Sequence, residues 1–505
     1  MNRVKKFLAA ILVLMLAPMA ARADEWQPAS PESQGMSSRV LVDLVSFAMS
    51  NGLDSLLVAR HGRIVVEAYY APFTSGLKHR INSATKSVIG TLVAMALQDG
   101  LLKSVDQPVL EFFPERRFAN VDERKKALTL RHLLNMTSGL EWDEPLAGHP
   151  KDFLEMERSP DWVRFALDRP VVREPGAAFQ YNSGGTHILS AILTKVTGRS
   201  AEAYAREKLF GPLGIEDVLW RRDPQGNSGG GAGLFLRTRD MARLGHFWLQ
   251  SGALDGKSAL PAGWLDDVRQ ATLVTDLGSA WRYANLFWAM PAAGHYSALG
   301  YNRQVIMMIP DLDIVAVLTG GQRFSTTTGV PAIPKYPLSP FVDRLKAAAT
   351  SSIALPEDPE ALGLLEQKAK EAGREVRTRS AALPPMAAAI SGKAYRLRAN
   401  QLQVSTLTFT FSPDGASYSY ESNGQQFGGP VGLDGLFRVG GRRLYGPSAA
   451  KGYWSDDNTF VMEAQTLGND DVNLATFTFT FDGKAIRGRV AVFGYWFDLA
   501  GEAAE

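Results

Sequence analysis

The sequence predicts an α+β fold in which helices flank an antiparallel sheet, followed by a separate all-β module. Three observations predict this arrangement. Strand-like runs occur near residues 55–70 and again near 285–319, and the stretch between them, from about 84 to 270, has a mostly helical pattern. From about residue 386 onwards, apolar and polar residues alternate as they do in strands. We therefore expect both ends of the first domain to build one sheet, with a helical subdomain inserted between them.

Composition restricts the class of protein. The chain has 505 residues, a formal net charge of +2, 45% hydrophobic residues and no cysteine. Such a length predicts two or three domains. Nucleic-acid binding needs a concentrated basic face, so we expect no nucleic-acid partner. Without cysteine there can be no disulfide framework, thiol nucleophile or lipid-modified cysteine.

Residues 1–23 have the pattern of a cleavable signal peptide. Arg3, Lys5 and Lys6 form a basic start, an apolar run extends from Phe7 to Leu16, and Ala21-Arg22-Ala23 offers small residues to a signal peptidase. The apolar run is shorter than the roughly 20 residues that a membrane span needs. We expect cleavage after Ala23 and a periplasmic or secreted protein without stable membrane insertion, with an uncleaved anchor as the alternative.

The predicted first domain covers residues 24–350, and its elements follow in order. A helix is expected at Ser37–Ser50, and a β hairpin at Ser55–Arg60 and Arg63–Tyr70, because His61-Gly62 between them is a turn signal. After the helical middle, the expected elements are strands at Asn285–Met290, Gln304–Ile309 and Ile314–Thr319, and a closing helix at Leu338–Thr350.

Beyond the first domain the pattern changes twice. Residues 351–385 predict a linker with a helical piece, since Glu357–Glu375 is charged and rich in alanine and Pro384-Pro385 ends it. Residues 386–505 predict a small β-barrel or sandwich. Its expected strands are Leu402–Phe411, Ala416–Glu421, Phe460–Gln465 and Leu474–Phe481.

The main chemical signal is the spacing of Ser83 and Lys86. The same Ser-x-x-Lys spacing recurs at Ser75 and Ser448, but only Ser83 opens a long helix with an apolar face. Residues three apart lie on one face of a helix, so Lys86 can lie beside Ser83. A serine hydroxyl needs a base, and burial can lower the pKa of a lysine from about 10.4 far enough to make it one. The alternative is a serine helix cap with a surface lysine.

Two further candidates follow along the chain. Tyr181 lies on a glycine-flanked loop directly before an apolar-periodic helix, where its hydroxyl could shuttle a proton. The alternative is a half-buried core tyrosine. Gly300 precedes Tyr301, Asn302, Arg303 and Gln304 at the edge of a strand. Backbone N–H groups there and at Ser83 could form an oxyanion hole, and Arg303 and Gln304 could contact a polar substrate group. The alternative is a glycine bulge.

Ser83-x-x-Lys86, then Tyr181, then a glycine-containing strand resembles the motif order of serine β-lactamases, penicillin-binding proteins and related esterases. The runs 128–140, 230–244 and 252–264 resemble that superfamily too, and the resemblance covers about residues 35–350. Its nearest branch holds the 6-aminohexanoate-oligomer hydrolases and carboxylesterases. The resemblance implies a β-lactamase/transpeptidase-like fold and an acyl-enzyme on Ser83.

The sequence departs from this pattern twice. Ser183 stands where the usual Tyr-x-Asn has asparagine, and the Lys-Thr-Gly or His-x-Gly element is absent, with Gly300-Tyr301-Asn302 in its neighbourhood. A second Tyr-x-Asn, Tyr283-Ala284-Asn285, is interpreted as a decoy. Both losses weaken the prediction of β-lactamase or D-alanyl-D-alanine carboxypeptidase activity. They leave acyl transfer through Ser83 intact.

We therefore expect an exported serine hydrolase that cleaves a small-molecule or peptide-like ester or amide, with Ser83 as nucleophile and Lys86 and Tyr181 as general base and acid. Ser183, Gly300, Tyr301, Asn302 and Gln304 are the expected substrate or oxyanion residues. No cofactor or metal is expected, because the histidines lack ligand spacing and His132 fits a packed core position. The oligomeric state stays open.

Two competing interpretations remain. Gly226-Asn227-Ser228-Gly229-Gly230 has the spacing of a nucleophile elbow but lies in a glycine-rich loop without the strand and helix such an elbow needs. Alternatively, the protein could be a non-catalytic cell-wall or peptide-binding sensor on the same fold, with the β module as its interaction surface.

Overall fold

The computed structural model describes residues 26–146, 150–321, 338–377, 382–412, 415–443, 446–468, 474–492 and 495–504. The predicted signal peptide lies outside these residues. Across the described ranges, no helix combines the length and apolarity needed to cross a membrane.

The helices are distributed over the first 390 residues. They are α1 (Ser38–Ser50), α2 (Thr85–Gln98), α3 (Glu123–Lys126), α4 (Leu130–Leu134), α5 (Lys151–Arg158), α6 (Trp162–Leu167), α7 (Ser183–Thr197), α8 (Ala201–Ala205), α9 (Thr238–Leu249), α10 (Trp264–Arg269), α11 (Leu338–Ala348), α12 (Pro359–Ala372) and α13 (Pro385–Ile390). Short 3₁₀ turns lie at Glu32–Gln34, Asn82–Ala84, Val109–Phe112, Pro291–Ala293 and Pro310–Leu312, and a π turn at Arg206–Phe210.

The strands form two large sheets and two small ones. In the first domain they are β1 (Leu53–Arg60), β2 (Arg63–Tyr69), β3 (Lys78–Arg80), β4 (Leu219–Trp220), β5 (Leu234–Arg237), β6 (Ala253–Leu254), β7 (Lys257–Ser258), β8 (Val274–Thr275), β9 (Gly278–Ala284), β10 (Phe287–Met290), β11 (His295–Gly300), β12 (Gln304–Ile309) and β13 (Ile314–Gly320). In the C-terminal module they are β14 (Ala394–Leu397), β15 (Val404–Ser412), β16 (Gly415–Ser422), β17 (Gln425–Val431), β18 (Arg438–Arg443), β19 (Gly446–Trp454), β20 (Thr459–Thr466), β21 (Ala475–Asp482), β22 (Ala485–Val492) and β23 (Tyr495–Ala503).

The central sheet joins the two ends of the first domain. Its order is β2-β1-β13-β12-β11-β10-β9-β8 and its pairs are antiparallel. Leu57 of β1 lies opposite Val317 of β13, although more than 200 residues separate β1 from β13 along the chain. Helices α2 to α10 lie in the sequence between these ends, and the predicted α+β fold with a helical insertion is confirmed.

Alternation along β12 sends side chains to both faces of this sheet. Val305, Met307 and Ile309 share a core with α1 and α11, while Ile306 and Met308 join a larger core that includes α2 and α9. The central strands are therefore buried on both faces.

The segment expected to be a linker contributes to the core of the first domain. Helix α12 contacts α1 and β2, and its Leu365 and Ala372 belong to the same cluster as α1 and α11. The charged residues that suggested a linker lie on the exposed side of α12, and Ala361, Leu365 and Ala372 form its buried side.

The C-terminal module is a ten-stranded antiparallel sheet in the order β17-β16-β15-β14-β23-β22-β21-β20-β19-β18. Its two edges meet, since a Cβ on Gly440 of β18 would lie 2.4 Å from Pro430 of β17. Gly432 also exchanges backbone hydrogen bonds with Ala450 and Gly452 of β19. The sheet thus closes as a barrel. Six of its strands were not predicted. Some of them contain residues typical of turns: β17 has two glycines and a proline, and β18 has two glycines.

The module rests against the strand that leads into Ser83. The backbone N–H of Arg80 in β3 donates to the carbonyl of Gly468 at 2.7 Å. Leu467 packs with Phe73 and Ala449 in a small buried cluster. The first domain and the C-terminal module are therefore joined here by a backbone hydrogen bond and a small apolar cluster.

Helix α12 offers a test of this packing with an internal control. Leu365 is 3% exposed and Leu364 is 40% exposed, so the same substitution can be made on both faces of one helix. We expect Leu365→Ala to lower the free energy of unfolding by about 2–4 kcal/mol, because it leaves a cavity. Leu364→Ala should change it by less than about 0.5 kcal/mol. Guanidinium unfolding followed by tryptophan fluorescence measures both, and equal effects would show that α12 does not pack as described.

Candidate active site

Ser83 occupies the only partly exposed position in a buried segment. It lies in the 3₁₀ turn Asn82–Ala84 directly before α2, and residues 84–96 are all buried. Asn82 has a left-handed φ of 48° and its side-chain amide donates to the Tyr301 carbonyl at 2.9 Å. This turn leaves Ser83 partly exposed at the positive end of α2, which favours negative charge developing there.

Lys86 lies one helical turn from Ser83 and is 1% exposed. Its Nζ donates to Ser83 Oγ at 3.1 Å and to the Gly231 carbonyl at 2.7 Å. Burial lowers the pKa of Lys86 to about 8, against an opposing upward effect of the Glu144 carboxylate. A substantial fraction of this amine is neutral near pH 8, so it can accept a proton from Ser83.

Tyr181 completes the cluster from the loop before α7. Its hydroxyl hydrogen bonds to Ser83, and Lys86 Nζ lies 4.7 Å from its ring centroid. Burial, with a contribution from Glu144, raises the pKa of Tyr181 far above its ordinary value, so the hydroxyl keeps its proton at neutral pH. Lys86 is therefore the group beside Ser83 that can accept a proton, whereas Tyr181 stays protonated and can pass its proton on only by receiving another.

Glu144 is a carboxylate at the site that sequence reasoning missed. Ser183 donates to it twice, from its hydroxyl to Oε1 at 2.5 Å and from its backbone N–H to Oε2 at 2.8 Å. Trp142 Nε1 donates to Oε2 at 2.6 Å. Ser183 was predicted to contact substrate, whereas its hydroxyl is bound to Glu144. Glu144 lies in an irregular segment, and no motif in the sequence identifies it.

The glycine run at 229–231 packs closely against neighbouring segments, because a Cβ at any of its positions would meet other atoms at less than 3 Å. A Cβ on Gly231 would lie 2.7 Å from the Ser183 Cβ, so glycine lets this segment bring its carbonyl to Lys86. Ser228 is fully buried, and its hydroxyl accepts from the backbone N–H of Glu202 at 2.9 Å. The nucleophile-elbow interpretation thus has no accessible serine.

Gly300 and Tyr301 border Ser83 from the end of β11. A Cβ on Gly300 would lie 2.1 Å from the Ile81 carbonyl oxygen, so only glycine allows this approach. Tyr301 is 59% exposed beside the cleft. These two predicted residues are brought to the nucleophile.

The other residues predicted to contact substrate near Gly300 make contacts within the fold instead. Gln304 is 1% exposed and its amide donates to the carbonyls of Gly320 at 2.6 Å and Asn302 at 3.2 Å. Arg303 donates to the Asn51 carbonyl at 2.5 Å. Asn302 and Arg303, with φ of 58° and 69°, form the tight turn between β11 and β12. Gln304 and Arg303 were predicted to contact substrate, but their side chains bind backbone carbonyls instead.

An aromatic wall stands next to Tyr181. Trp288 stacks on it with ring centroids 6.0 Å apart, and Tyr283 meets Trp288 edge-on at 4.9 Å. Phe179 packs against both Tyr283 and Trp288. Tyr283 belongs to the second Tyr-x-Asn run, and its ring contributes to this wall. Asn285, the last residue of the same run, donates its side-chain amide to the Trp264 carbonyl at 3.0 Å, which is a structural role.

His187 and His132 both make structural contacts. His187 is fully buried and its Nε2 lies 3.0 Å from Asp223. His132 was expected in the core, but it is half-buried and caps the start of α4 by accepting from the Thr129 N–H at 3.1 Å. No group of three or more potential metal ligands occurs among the residues whose placement is described. His149 lies outside them.

Comparison with known proteins gives consistent matches. The profile of the Beta-lactamase family matches residues 50–329. The 6-aminohexanoate-dimer hydrolase of Paenarthrobacter ureafaciens is 27% identical over 327 residues, which span 60% of this chain and 82% of that protein. Esterase EstB of Burkholderia gladioli is 29% identical over 218 residues, or 40% of this chain and 51% of EstB.

A similar fold occurs among solved structures. A Bacillus anthracis protein assigned as a 6-aminohexanoate-dimer hydrolase superposes with a TM-score of 0.53 at 20% identity, covering 66% of this chain and 89% of the other. EstCE1, a hydrolase with promiscuous acyltransferase activity, gives a TM-score of 0.50 at 20% identity and covers 64% of this chain and 100% of the other. At these identities the likeness concerns the fold, and it includes the predicted β-lactamase/transpeptidase-like arrangement.

The pKa of Lys86 predicts a pH profile. Since only the neutral amine accepts a proton, kcat/KM for a neutral ester should rise with pH and reach half its plateau near pH 8. Glu144→Gln removes a charge that favours protonated Lys86, so the midpoint should move to lower pH. Glu141→Gln changes an exposed carboxylate on the same segment and should leave it unmoved. Equal midpoints in all three proteins would contradict this assignment.

Proposed function

Because the chain belongs to the Beta-lactamase family, we propose that it is an exported serine hydrolase that cleaves esters or amides of small molecules through an acyl-enzyme on Ser83. Hydrolytic activity accords with relatives named as a hydrolase and an esterase. The observation that carries the assignment of the nucleophile is the 3.1 Å hydrogen bond from buried Lys86 to Oγ of the partly exposed Ser83. No observation favours a purely binding or sensing role.

Acylation begins when Ser83 Oγ attacks the substrate carbonyl and its proton passes to neutral Lys86 Nζ. The carbonyl π electrons move to oxygen, and backbone N–H groups at Ser83 and beside Tyr301 stabilise that charge. When the tetrahedral intermediate collapses, the leaving alcohol or amine takes a proton from the Tyr181 hydroxyl, which regains one from Lys86. The enzyme is then acylated, and both proton-carrying groups have returned to their initial states.

Deacylation repeats the sequence with water. A water molecule attacks the acyl carbonyl and gives its proton to Lys86, and Ser83 Oγ leaves as a hydroxyl after receiving a proton through Tyr181. The carboxylic acid product departs and the cycle closes. Apart from the substrate and water, every group used in these steps belongs to the chain itself.

Charge at the cleft favours a neutral substrate. Glu144 acts electrostatically on both Lys86 and Tyr181, and Asp276 acts on Tyr181, so two carboxylates influence the groups that flank Ser83. The cation of a Lys-Thr-Gly element is absent from the sequence. Trp288 and Phe179 add an apolar wall. A β-lactam or a peptide terminus carries a carboxylate, which this field would repel, whereas a neutral ester or linear amide meets no such penalty.

Export rests on residues 1–23, with their basic start, apolar run and Ala21-Arg22-Ala23. A protein matured by signal peptidase would begin at Asp24. The proposed compartment is the periplasm or the medium.

Covalent labelling tests the nucleophile. A fluorophosphonate probe should add once to the wild type, and Ser83→Ala should abolish the adduct, whereas Ser75→Ala and Ser228→Ala should retain it. Lys86→Met should lower the rate of labelling by about 10²–10⁴-fold, because the base is lost. Intact-mass spectrometry reads the adduct and also shows whether the exported chain begins at Asp24. An adduct that persists in Ser83→Ala would refute the mechanism.

Substrate charge can be tested with matched acyl groups. We expect p-nitrophenyl butyrate to be cleaved with a kcat/KM roughly tenfold above that of mono-p-nitrophenyl succinate, which equals about 1.4 kcal/mol of repulsion. Glu144→Gln should narrow that ratio and Glu141→Gln should preserve it. Steady-state kinetics at low and high salt measures this preference, and a faster reaction with the succinate ester would contradict it.

A further inference from the structure

The interior of the C-terminal barrel contains a cavity of about 310 Å³ that is separate from the Ser83 cleft. It is lined by Leu402, Val404, Leu407, Tyr418, Tyr420, Ser422, Phe427, Met462, Ala464, Gln465, Thr466, Ala475, Phe477, Phe479, Val490 and Leu499. These residues come mainly from seven of the ten strands of the barrel. The cavity is therefore a feature of the closed sheet and not of a single loop.

The cavity has a closed end and an open end. Leu407, Met462 and Phe479 are buried in the barrel core. Partly exposed lining residues such as Val404 and Phe427 lie where β15 and β17 begin. Neighbouring strands of the barrel run in opposite directions, so the first residues of β15 and β17 lie at the same end of the barrel as the last residues of β20. Thr466, the last residue of β20, lines the cavity at this end. A ligand could thus enter past this rim.

Tyr418 supplies a polar group that lacks a partner. The residue is 5% exposed, it lines the cavity, and its hydroxyl has no hydrogen-bond partner within the described residues. Leaving a buried hydroxyl unpaired is unfavourable, typically by about 1–3 kcal/mol. Tyr395 and Trp454 also carry unpaired buried atoms, but neither lines this cavity. Tyr418 thus places an unpaired hydroxyl in the wall of the barrel, on a side chain that lines the cavity.

The lining selects against charge. None of the lining residues is acidic or basic, and most are aliphatic or aromatic. An ionised group would lose its hydration without gaining a counter-charge, which strongly disfavours it. Apolar cavities of about 150 Å³ hold a benzene-sized molecule, so this volume accommodates roughly a dozen non-hydrogen atoms.

We propose that the C-terminal barrel binds an uncharged, medium-chain aliphatic molecule with one hydrogen-bonding group, of the size and kind of a fatty alcohol. The chain occupies the space between Leu407, Met462 and Phe479, and its polar group pairs with the Tyr418 hydroxyl. This site is independent of catalysis at Ser83.

Binding of 1-decanol to the full-length mature protein tests the site, with decanoate as the charged counterpart at pH 8. Titration calorimetry should show one saturable site for decanol and at least tenfold weaker binding of decanoate. Tyr418→Phe should weaken decanol binding by about three- to tenfold through loss of one hydrogen bond. Tyr453→Phe makes the same change on a residue that is 57% exposed and outside the lining, and it should have no effect.

A cavity-filling variant locates the site. Ala464→Phe places a ring in the cavity and should abolish decanol binding while the rate of ester hydrolysis at Ser83 stays unchanged, which also reports that the protein is folded. Three results would overturn the proposal: no saturable decanol binding by wild type, equal binding of decanoate, or unchanged binding in folded Ala464→Phe. Equal binding by Tyr418→Phe and Tyr453→Phe would overturn recognition by the Tyr418 hydroxyl.

Discussion

Burial of one lysine amine is the constraint on which the catalytic chemistry depends. A charged Lys86 in solvent would be a poor base, whereas an amine that is 1% exposed loses the hydration that favours its protonated form, and its pKa falls to about 8. The Gly231 carbonyl and Ser83 Oγ accept its hydrogen bonds, so the buried amine is not left unpaired. The close packing of α2, the glycine run and the 3₁₀ turn at Ser83 all maintain this environment.

The same packing joins distant parts of the chain at one point. Gly300 lets the end of β11 reach the Ile81 carbonyl, and Gly468 of the barrel accepts from Arg80, so both elements contact the segment that carries Ser83. Glu144 enters from a third segment and is held by Ser183 and Trp142. Because the nucleophile lies at this junction, the electrostatics of the cleft depend on residues far from it in sequence.

Sequence patterns predicted the features that local periodicity encodes. They indicated the α+β fold, the hairpin of β1 and β2, and the helical spacing of Ser83 and Lys86. Glu144 was not predicted because it lies in an irregular segment, where the sequence has no helix or strand periodicity that would identify a functional carboxylate. The assignment of Gln304 to substrate failed because a glutamine at a strand start does not reveal which side its amide faces. The packing of α12 and the glycine-containing strands β17 and β18 likewise depend on tertiary contacts that override local propensity.

The central claim, that Lys86 is substantially neutral at working pH, is open to direct titration. Lysine labelled with ¹³C at Cε, with Lys86→Met to assign the resonance, reports the protonation of each amine by NMR. We expect the Lys86 signal to titrate near pH 8, well below the other lysines. A Lys86 signal that titrates with the surface lysines, above about pH 10, would contradict the account.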